Sequence, residues 1–194
     1  ARAHAIPGTD GAMVPTVSAD ARLVAFWSNG AIRRVPLVGG PVELVVNAAQ
    51  KVMVYQFRAF LHFPTSTLPD NAVILQVTLK IRKLSVTGTD PFTTHQNLLV
   101  DIRSGPFSGS NALQVGDFQA AASLNSVGTF PNTPSGGWYS SVLDGSAFPY
   151  VSLTGITQFR LAFQLDDNDD LGADTIKFYS GNYGDLAYRP QLQI

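Results

Sequence analysis

The sequence has no cysteine, which excludes disulfide bonds, thiolate metal ligands and a cysteine nucleophile. Charged residues are also scarce, at 14% against roughly 25% in an average globular domain. The chain has a single glutamate, Glu43, and few lysines. Because glutamate and lysine are good solvent-facing helix formers, their shortage argues against a helical protein.

Long apolar runs are absent too, since no stretch approaches the roughly 20 residues of a membrane-spanning helix. The 13 basic and 14 acidic residues nearly cancel, and no basic block is present to neutralise phosphates. The sequence therefore predicts no membrane span and no nucleic-acid partner. The chain starts at Ala1 without an initiator methionine, which predicts a secreted protein, extracellular or on the cell surface, whose leader has been removed.

Alternation of apolar and polar residues is the main pattern, as expected for strands with one buried face. The 17 glycines and 12 prolines suit many turns between them. The alternating segments are residues 51–63, 73–82, 98–102, 158–165, 176–178 and 192–194. Only residues 117–123 resemble a short helix or helical turn, because an aspartate precedes a run of alanines.

These patterns predict an all-β protein, an antiparallel two-sheet β-sandwich of the jelly-roll type. Residues 1–20 show weak patterning and are predicted to form an N-terminal extension. Neither a repeat nor a linker interrupts the rest, so residues 21–194 are predicted to form a single domain.

The second part of the chain contains motifs that point to a family. They are Phe60-Leu61-His62-Phe63, Leu68-Pro69, Gly88-Thr89-Asp90-Pro91-Phe92 with His95, Leu98-Leu99-Val100-Asp101-Ile102 and Gly116-Asp117-Phe118-Gln119-Ala120. The closing motifs are the most specific: Asp166-Asp167-Asn168-Asp169-Asp170, Phe178-Tyr179-Ser180-Gly181 and Arg189-Pro190-Gln191-Leu192. Over residues 55–194 the chain resembles the DNRLRE-type domains of secreted bacterial and archaeal proteins.

This resemblance implies a jelly-roll module of extracellular proteins, often appended to enzymes or surface proteins. Some members of the family are classed as carbohydrate-binding modules for acidic polysaccharides. The resemblance does not imply catalysis.

The residues themselves also predict that the protein is not an enzyme. Neither a G-x-S-x-G nucleophile motif nor a glycine-rich phosphate loop occurs. Glycosidase chemistry needs a pair of carboxylates, and Glu43 lies between apolar neighbours.

An acidic loop concentrates the oxygen ligands that calcium prefers, without the spacing of an EF-hand. Its candidate ligands for Ca²⁺ are Asp166, Asp167, Asn168, Asp169, Asp170 and Asp174. The alternative is that these short side chains accept hydrogen bonds from nearby backbone N–H groups and cap a turn between two strands.

Aromatic residues beside glycines, namely Trp138, Tyr139 and Tyr183, are candidates for stacking on sugar rings. The alternative is that they pack in the core or beneath a loop.

Two functions remain open. The first is a structural or adhesive subunit of a cell-surface or extracellular filament, formed when an extended segment of one chain adds to a sheet edge of another. Its candidate donor is the segment 11–22, with Met13, Val14 and Val17 as apolar anchors. The alternative for this segment is that it forms the first strand of its own sheet. The second function is a carbohydrate-binding module that recognises an extracellular polysaccharide.

Overall fold

The computed structural model describes residues 13–17, 22–28, 31–36, 43–47, 56–168, 170 and 172–194. The chain divides into two compact units, an N-terminal unit of Ala1–Met53 and a C-terminal unit of Val54–Ile194. This division differs from the predicted one, which separated an extension of residues 1–20 from a single domain. Within the described residues, no helix is both long and apolar enough to cross a membrane.

The N-terminal unit contains an antiparallel sheet whose strands pair in chain order. The strands are β1 (Met13–Val17), β2 (Leu23–Ser28), β3 (Ala31–Pro36) and β4 (Glu43–Asn47). Val24 and Phe26 alternate along β2 and form a small buried cluster with Val35 of β3. Because the sheet order is β1-β2-β3-β4, β1 and β4 are its edge strands.

The C-terminal unit contains two antiparallel sheets. Its strands are β5 (Ala59–Pro64), β6 (Thr78–Gly88), β7 (Leu98–Ser104), β8 (Leu124–Thr129), β9 (Trp138–Val142), β10 (Ile156–Phe163), β11 (Asp174–Phe178) and β12 (Gln191–Gln193). One α-helical turn, α1 (Pro91–Thr94), follows β6, and 3-10 helices occupy Thr65–Thr67, Val115–Phe118, Gly145–Tyr150 and Leu186–Tyr188.

The first of these sheets has the order β5-β10-β7-β8, and in the second the long strand β6 pairs with β9, β11 and β12. Alternate residues of both sheets meet in one core, for example Leu79 and Ile81 of β6 with Val100 of β7 and Phe159 of β10. The prediction of an all-β protein built from packed antiparallel sheets is thus confirmed. The jelly-roll connectivity stays a prediction.

The strand predicted over residues 73–82 begins later than expected, at Thr78, and continues to Gly88. Thr78 lies opposite the ends of β9 and β12, and among the described strands none continues beside the chain before Val77. Val73 and Leu75, which were expected on the buried face, are 80% and 83% exposed. The alternation that buries Val77 therefore does not extend back to these two residues.

The strand predicted over residues 51–63 is also shorter, since β5 starts at Ala59 and Gln56 and Phe57 are exposed. Its inward residues Ala59, Leu61 and Phe63 pack against the core as the alternation predicted. The predicted residues 51–55 lie outside the described part of the chain.

Of the short helix or helical turn predicted over residues 117–123, the structure has only a helical turn, the 3-10 helix Val115–Phe118, which ends at the second predicted residue. The carbonyl groups that a helix would use are bonded elsewhere. Arg160 of β10 donates to the carbonyl oxygens of Asp117, Phe118 and Ala120, the last at 2.7 Å. This loop is therefore fixed by a side chain of the sheet beneath it.

Arg160 is itself only 7% exposed, and its guanidinium lies 2.8 Å from Asp101 Oδ2 on β7. Removing one member of a buried ion pair leaves a charge without compensation and costs about 3 kcal/mol or more. We therefore expect Asp101→Ala to lower the free energy of unfolding by about 3 kcal/mol, measured by urea denaturation. Asp70→Ala, at an exposed position, is the control and should change it by less than about 0.5 kcal/mol. Equal effects of the two substitutions would show that the ion pair does not stabilise the fold.

Candidate functional site

The C-terminal unit has an open side where one edge strand of each sheet lies. Among the described strands, β5 pairs with β10 alone and β11 pairs with β6 alone. Each of these strands therefore has one edge without a neighbouring described strand. Such edges carry backbone N–H and C=O groups that another strand can bond.

A groove runs between β5 and β11, formed by two cavities that share Ala59, Leu161, Ile176 and Phe178 as lining residues. The larger cavity has a volume of about 440 Å³, and its floor includes Ile81, which is 1% exposed. We call it the apolar end of the groove, because core-facing side chains of both sheets form its walls.

The smaller cavity, of about 160 Å³, is the acidic end of the groove. Asp166 and Asp174 both line it, and the side chain of Asp174 is only 3% exposed. Asp174 Oδ2 accepts a hydrogen bond from Asn168 Nδ2 at 3.1 Å and lies 3.5 Å from His95 Nδ1. Asp174 Oδ1 is buried and has no hydrogen-bond partner among the described residues.

The backbone hydrogen bonds at the two ends of β11 show which of its backbone groups face the open side. The carbonyl oxygen of Ala173 accepts from Thr89 N, and Tyr179 N donates to the carbonyl oxygen of Arg82, so both odd-numbered residues bond toward β6. Alternation along a strand then turns the backbone groups of Asp174, Ile176 and Phe178 toward the groove.

The same reasoning applies to β5. The carbonyl oxygen of Ile156 on β10 accepts from Gly105 N, which follows β7, so the odd-numbered residues of β10 bond toward β5. Leu161 and Phe159 lie opposite Ala59 and Leu61, which leaves the backbone groups of Phe60 free to face the open side.

Residues of the acidic loop, 166–174, line the acidic end of the groove, and some of them also cap turns. Asp170 Oδ1 accepts from Gly172 N at 2.7 Å, and Asp170 Oδ2 accepts from Asn168 Nδ2 at 2.8 Å. Asp170 therefore follows the turn-cap alternative. Asp167 is partly buried, and the predicted ligand Asp169 lies outside the described residues.

Within the described residues, no group of three or more His, Cys, Asp or Glu side chains is placed to hold a metal ion. Calcium binding at this loop stays a prediction.

Of the predicted sugar-stacking residues, Tyr139 follows the core alternative. It is 0% exposed, and its ring stacks on Phe92 with centroids 5.1 Å apart. Burial raises the pKa of the Tyr139 hydroxyl, with a smaller contribution from the charge of Asp90. The ring of Tyr139 has no face to offer a ligand.

Trp138 and Tyr183, in contrast, belong to a surface group that also contains Arg82, Tyr179 and Tyr188. The Arg82 guanidinium lies 3.8 Å from the centroid of the Tyr188 ring and 5.8 Å from that of Trp138. Tyr179 stacks on Tyr188 at 5.0 Å, and Tyr183 meets Tyr179 edge-on at 4.5 Å. We call these five residues the aromatic–cation surface.

Sequence reasoning missed Tyr179, Tyr188 and Arg82 in this surface. Their signal was available, because Arg82 lies on the polar face of an alternating strand, and the two tyrosines flank Tyr183 within ten residues. What the sequence could not show is that β6 and the chain after β11 come together.

The predicted assembly residues Met13, Val14 and Val17 all lie in β1. Met13 is opposite Trp27 and Val17 is opposite Val24 of β2, so this segment is the first strand of its own sheet, as the alternative held. Among the described strands β1 pairs with β2 alone, and its other edge is open.

Comparison of the chain with protein families, curated proteins and solved structures found no match. The resemblance to DNRLRE-type domains therefore stays a prediction.

Proposed function

We propose that the protein is a non-catalytic structural subunit that assembles outside the cell by strand addition between copies. In this proposal the segment 11–22 of one copy adds to the groove between β5 and β11 of a second copy. The open, apolar groove in the C-terminal unit is the observation that supports it. The extracellular location is the expectation carried by the resemblance to secreted domains.

An added strand can use both the open strand edges and the apolar walls of the groove. Its backbone can bond an open strand edge, and its apolar side chains can cover partly buried walls such as Leu61, Ile176 and Phe178. Each aliphatic side chain that becomes fully buried contributes roughly 1.5 to 3 kcal/mol.

The segment 11–22 suits the part of donor because it contains Met13 and Val17 and few charges. In its own copy the segment forms β1 and pairs with β2, so donation requires that it leave β2 and pair with the groove instead. Pro15 lacks an N–H group, which limits this pairing to one side. Such a contact joins two different surfaces of identical chains. When the rotation between neighbouring copies does not form a closed ring, the repeated contact gives a filament.

Because the chain has no cysteine, single engineered cysteines can test this contact without background. We expect a mixture of Val17→Cys and Leu84→Cys copies to form a mixed disulfide, since Leu84 is 51% exposed and lines the apolar end of the groove. Mass spectrometry identifies the mixed dimer. Val142→Cys, 61% exposed on β9 and outside the groove, replaces Leu84→Cys in the control mixture. Equal yields in the two mixtures would contradict the proposed contact.

The groove can also be tested without cross-linking. Ile176→Lys places a charge on the groove wall and should abolish fibres seen by negative-stain electron microscopy, whereas Val142→Lys should leave them unchanged. Circular dichroism establishes that both variants fold. Fibres formed equally by a folded Ile176→Lys protein would exclude the groove as the acceptor.

A second function, binding of an extracellular polysaccharide, is favoured by the aromatic–cation surface. Tyr and Trp rings stack on the apolar faces of sugars, and the neighbouring Arg82 and Lys80 supply hydrogen-bond donors. This surface contains β6 and β9 residues and is separate from the acidic end of the groove.

If this second function holds, Trp138→Ala should weaken binding to a glycan identified on an array by about tenfold, or about 1.4 kcal/mol, because one stacked ring is lost. Isothermal titration measures the affinity. Leu113→Ala, at a position 74% exposed, is the control and should bind as the unchanged protein does. Absence of any glycan bound by the unchanged protein would exclude this function.

A further inference from the structure

We infer a further binding site on the outer face of the sheet β5-β10-β7-β8 and assign it to a neutral sugar unit with two neighbouring hydroxyl groups. The site is a cavity of about 180 Å³ between β5, β10 and the loop of residues 106–117. The aromatic–cation surface lies on the other sheet, and strand addition uses the groove at the sheet edges. The inference therefore goes beyond both proposed functions.

Outward side chains of β5 and β10 form the floor of the cavity. The odd-numbered residues of β5 pack in the core, so Phe60 and His62 point to the outer face. Gln158 of β10 lies opposite His62 and is only 6% exposed. Its Oε1 accepts from Phe107 N at 2.8 Å, which fixes the orientation of the amide. The Nε2 group of Gln158 therefore remains as a donor for a ligand.

Asp117 lines the cavity from the loop side and is only 3% exposed. Its Oδ2 accepts from Gln114 N at 2.8 Å, in a capping box that holds the 3-10 helix. Hydrogen bonding by Ser108, and after it by Gln114, lowers the pKa of Asp117, so this carboxylate is charged at neutral pH. Its Oδ1 is buried without a hydrogen-bond partner of normal geometry among the described residues. A ligand that donates to Oδ1 is favoured, because an unsatisfied buried acceptor is costly.

Arg58 lines the same cavity and supplies a complementary donor. One of its terminal nitrogens donates to the carbonyl oxygen of Phe118, while its buried Nε has no hydrogen-bond partner in the described part of the chain. Asp117 Oδ1 and Arg58 Nε are thus an acceptor and a donor that are not bonded to each other. The charges of these two side chains cancel, and the neighbouring Arg160 is paired with Asp101. A neutral group that both donates and accepts fits this pair best, and a hydroxyl is such a group.

A sugar ring matches the remaining features of the cavity. One hydroxyl can accept from Arg58 Nε and donate to Asp117 Oδ1, and the adjacent hydroxyl can accept from Gln158 Nε2. The Phe60 ring offers apolar surface to the C–H groups of the sugar. The volume of about 180 Å³ is also far more than the roughly 15 Å³ that a single water needs.

The loop that forms the roof is held in place without a ligand. Arg160 donates to the carbonyl oxygens of Asp117 and Ala120, at 3.4 Å and 2.7 Å. Near the start of the loop, Phe107 is 4% exposed and meets Phe60 edge-on. A site whose walls are already ordered loses little conformational entropy when a ligand binds.

NMR spectroscopy can observe this site directly, because Arg58 Nε–H and the side-chain amide of Gln158 give their own signals. The probes are the methyl glycosides of glucose, mannose and galactose, which together present equatorial–equatorial and axial–equatorial pairs of neighbouring hydroxyls. We expect at least one of them to shift both signals saturably, with a dissociation constant in the millimolar range. Tetrahydropyran, the same ring without hydroxyls, should shift neither. If none of the three sugars shifts these signals, the cavity holds only water and the proposal is overturned.

The contribution of Asp117 is tested with Asp117→Asn, which keeps an acceptor for Gln114 N but loses the carboxylate charge. It should weaken sugar binding by about tenfold or more, since a hydrogen bond to a charged group is lost. Asp144→Asn is the matched control, because Asp144 also accepts from a backbone N–H, that of Ser146, at 2.8 Å beside a 3-10 helix. Equal affinities of the two variants would exclude Asp117 from the site.

Two further variants keep the test decisive if Asp117→Asn does not fold. Asn111 is exposed and lines the cavity, so Asn111→Trp should fill its mouth and abolish the shifts at Arg58 and Gln158. Trp138→Ala should leave these shifts unchanged, because Trp138 belongs to the other sheet. Binding that survives Asn111→Trp, or that is lost in Trp138→Ala, would place the sugar elsewhere and overturn the proposal.

Discussion

The arrangement of the C-terminal unit depends on one buried cation, Arg160. Its guanidinium joins β10 to β7 through Asp101 and also donates to the carbonyl oxygens of Phe118 and Ala120 in the loop above it. A buried charge is tolerated only when it is paired and its donors are satisfied, so the loop must lie where it does. Arg58 holds the same loop in place, since it donates to the carbonyl oxygen of Phe118 and lies over the Phe118 ring.

The loop held by Arg160 and Arg58 covers part of the outer face of the sheet β5-β10-β7-β8. Phe107 is brought onto that face, where it is 4% exposed and meets Phe60 edge-on at 5.6 Å. The outward side chain of Phe60 is thereby packed, while the backbone groups of the same residue face the groove. In the proposed assembly, a strand added at β5 would use main-chain bonds and leave the packed outer face undisturbed.

Local alternation predicted the strands whose two faces differ most, as in β10, where Phe159 and Leu161 face the core. It failed at Val73 and Leu75, because alternation records which residues can be buried and not where the neighbouring strands end. Arg160 lay on the predicted polar face, yet a distant loop buries it. The groove and the aromatic–cation surface were equally hidden from sequence, since each depends on pairing between strands far apart in the chain.

The two open edges are not equally protected against a new strand. On β5, the terminal Pro64 lacks an N–H group, and proline at an edge limits pairing. On β11, the groove-facing backbone belongs to residues that all carry N–H groups. Gly88 fixes the start of this edge: its φ is +73°, and a Cβ there would lie 1.4 Å from the carbonyl oxygen of Ala173. The close β6–β11 contact that glycine permits places Asp174 at the groove, so β11 is the edge at which strand addition is best supported.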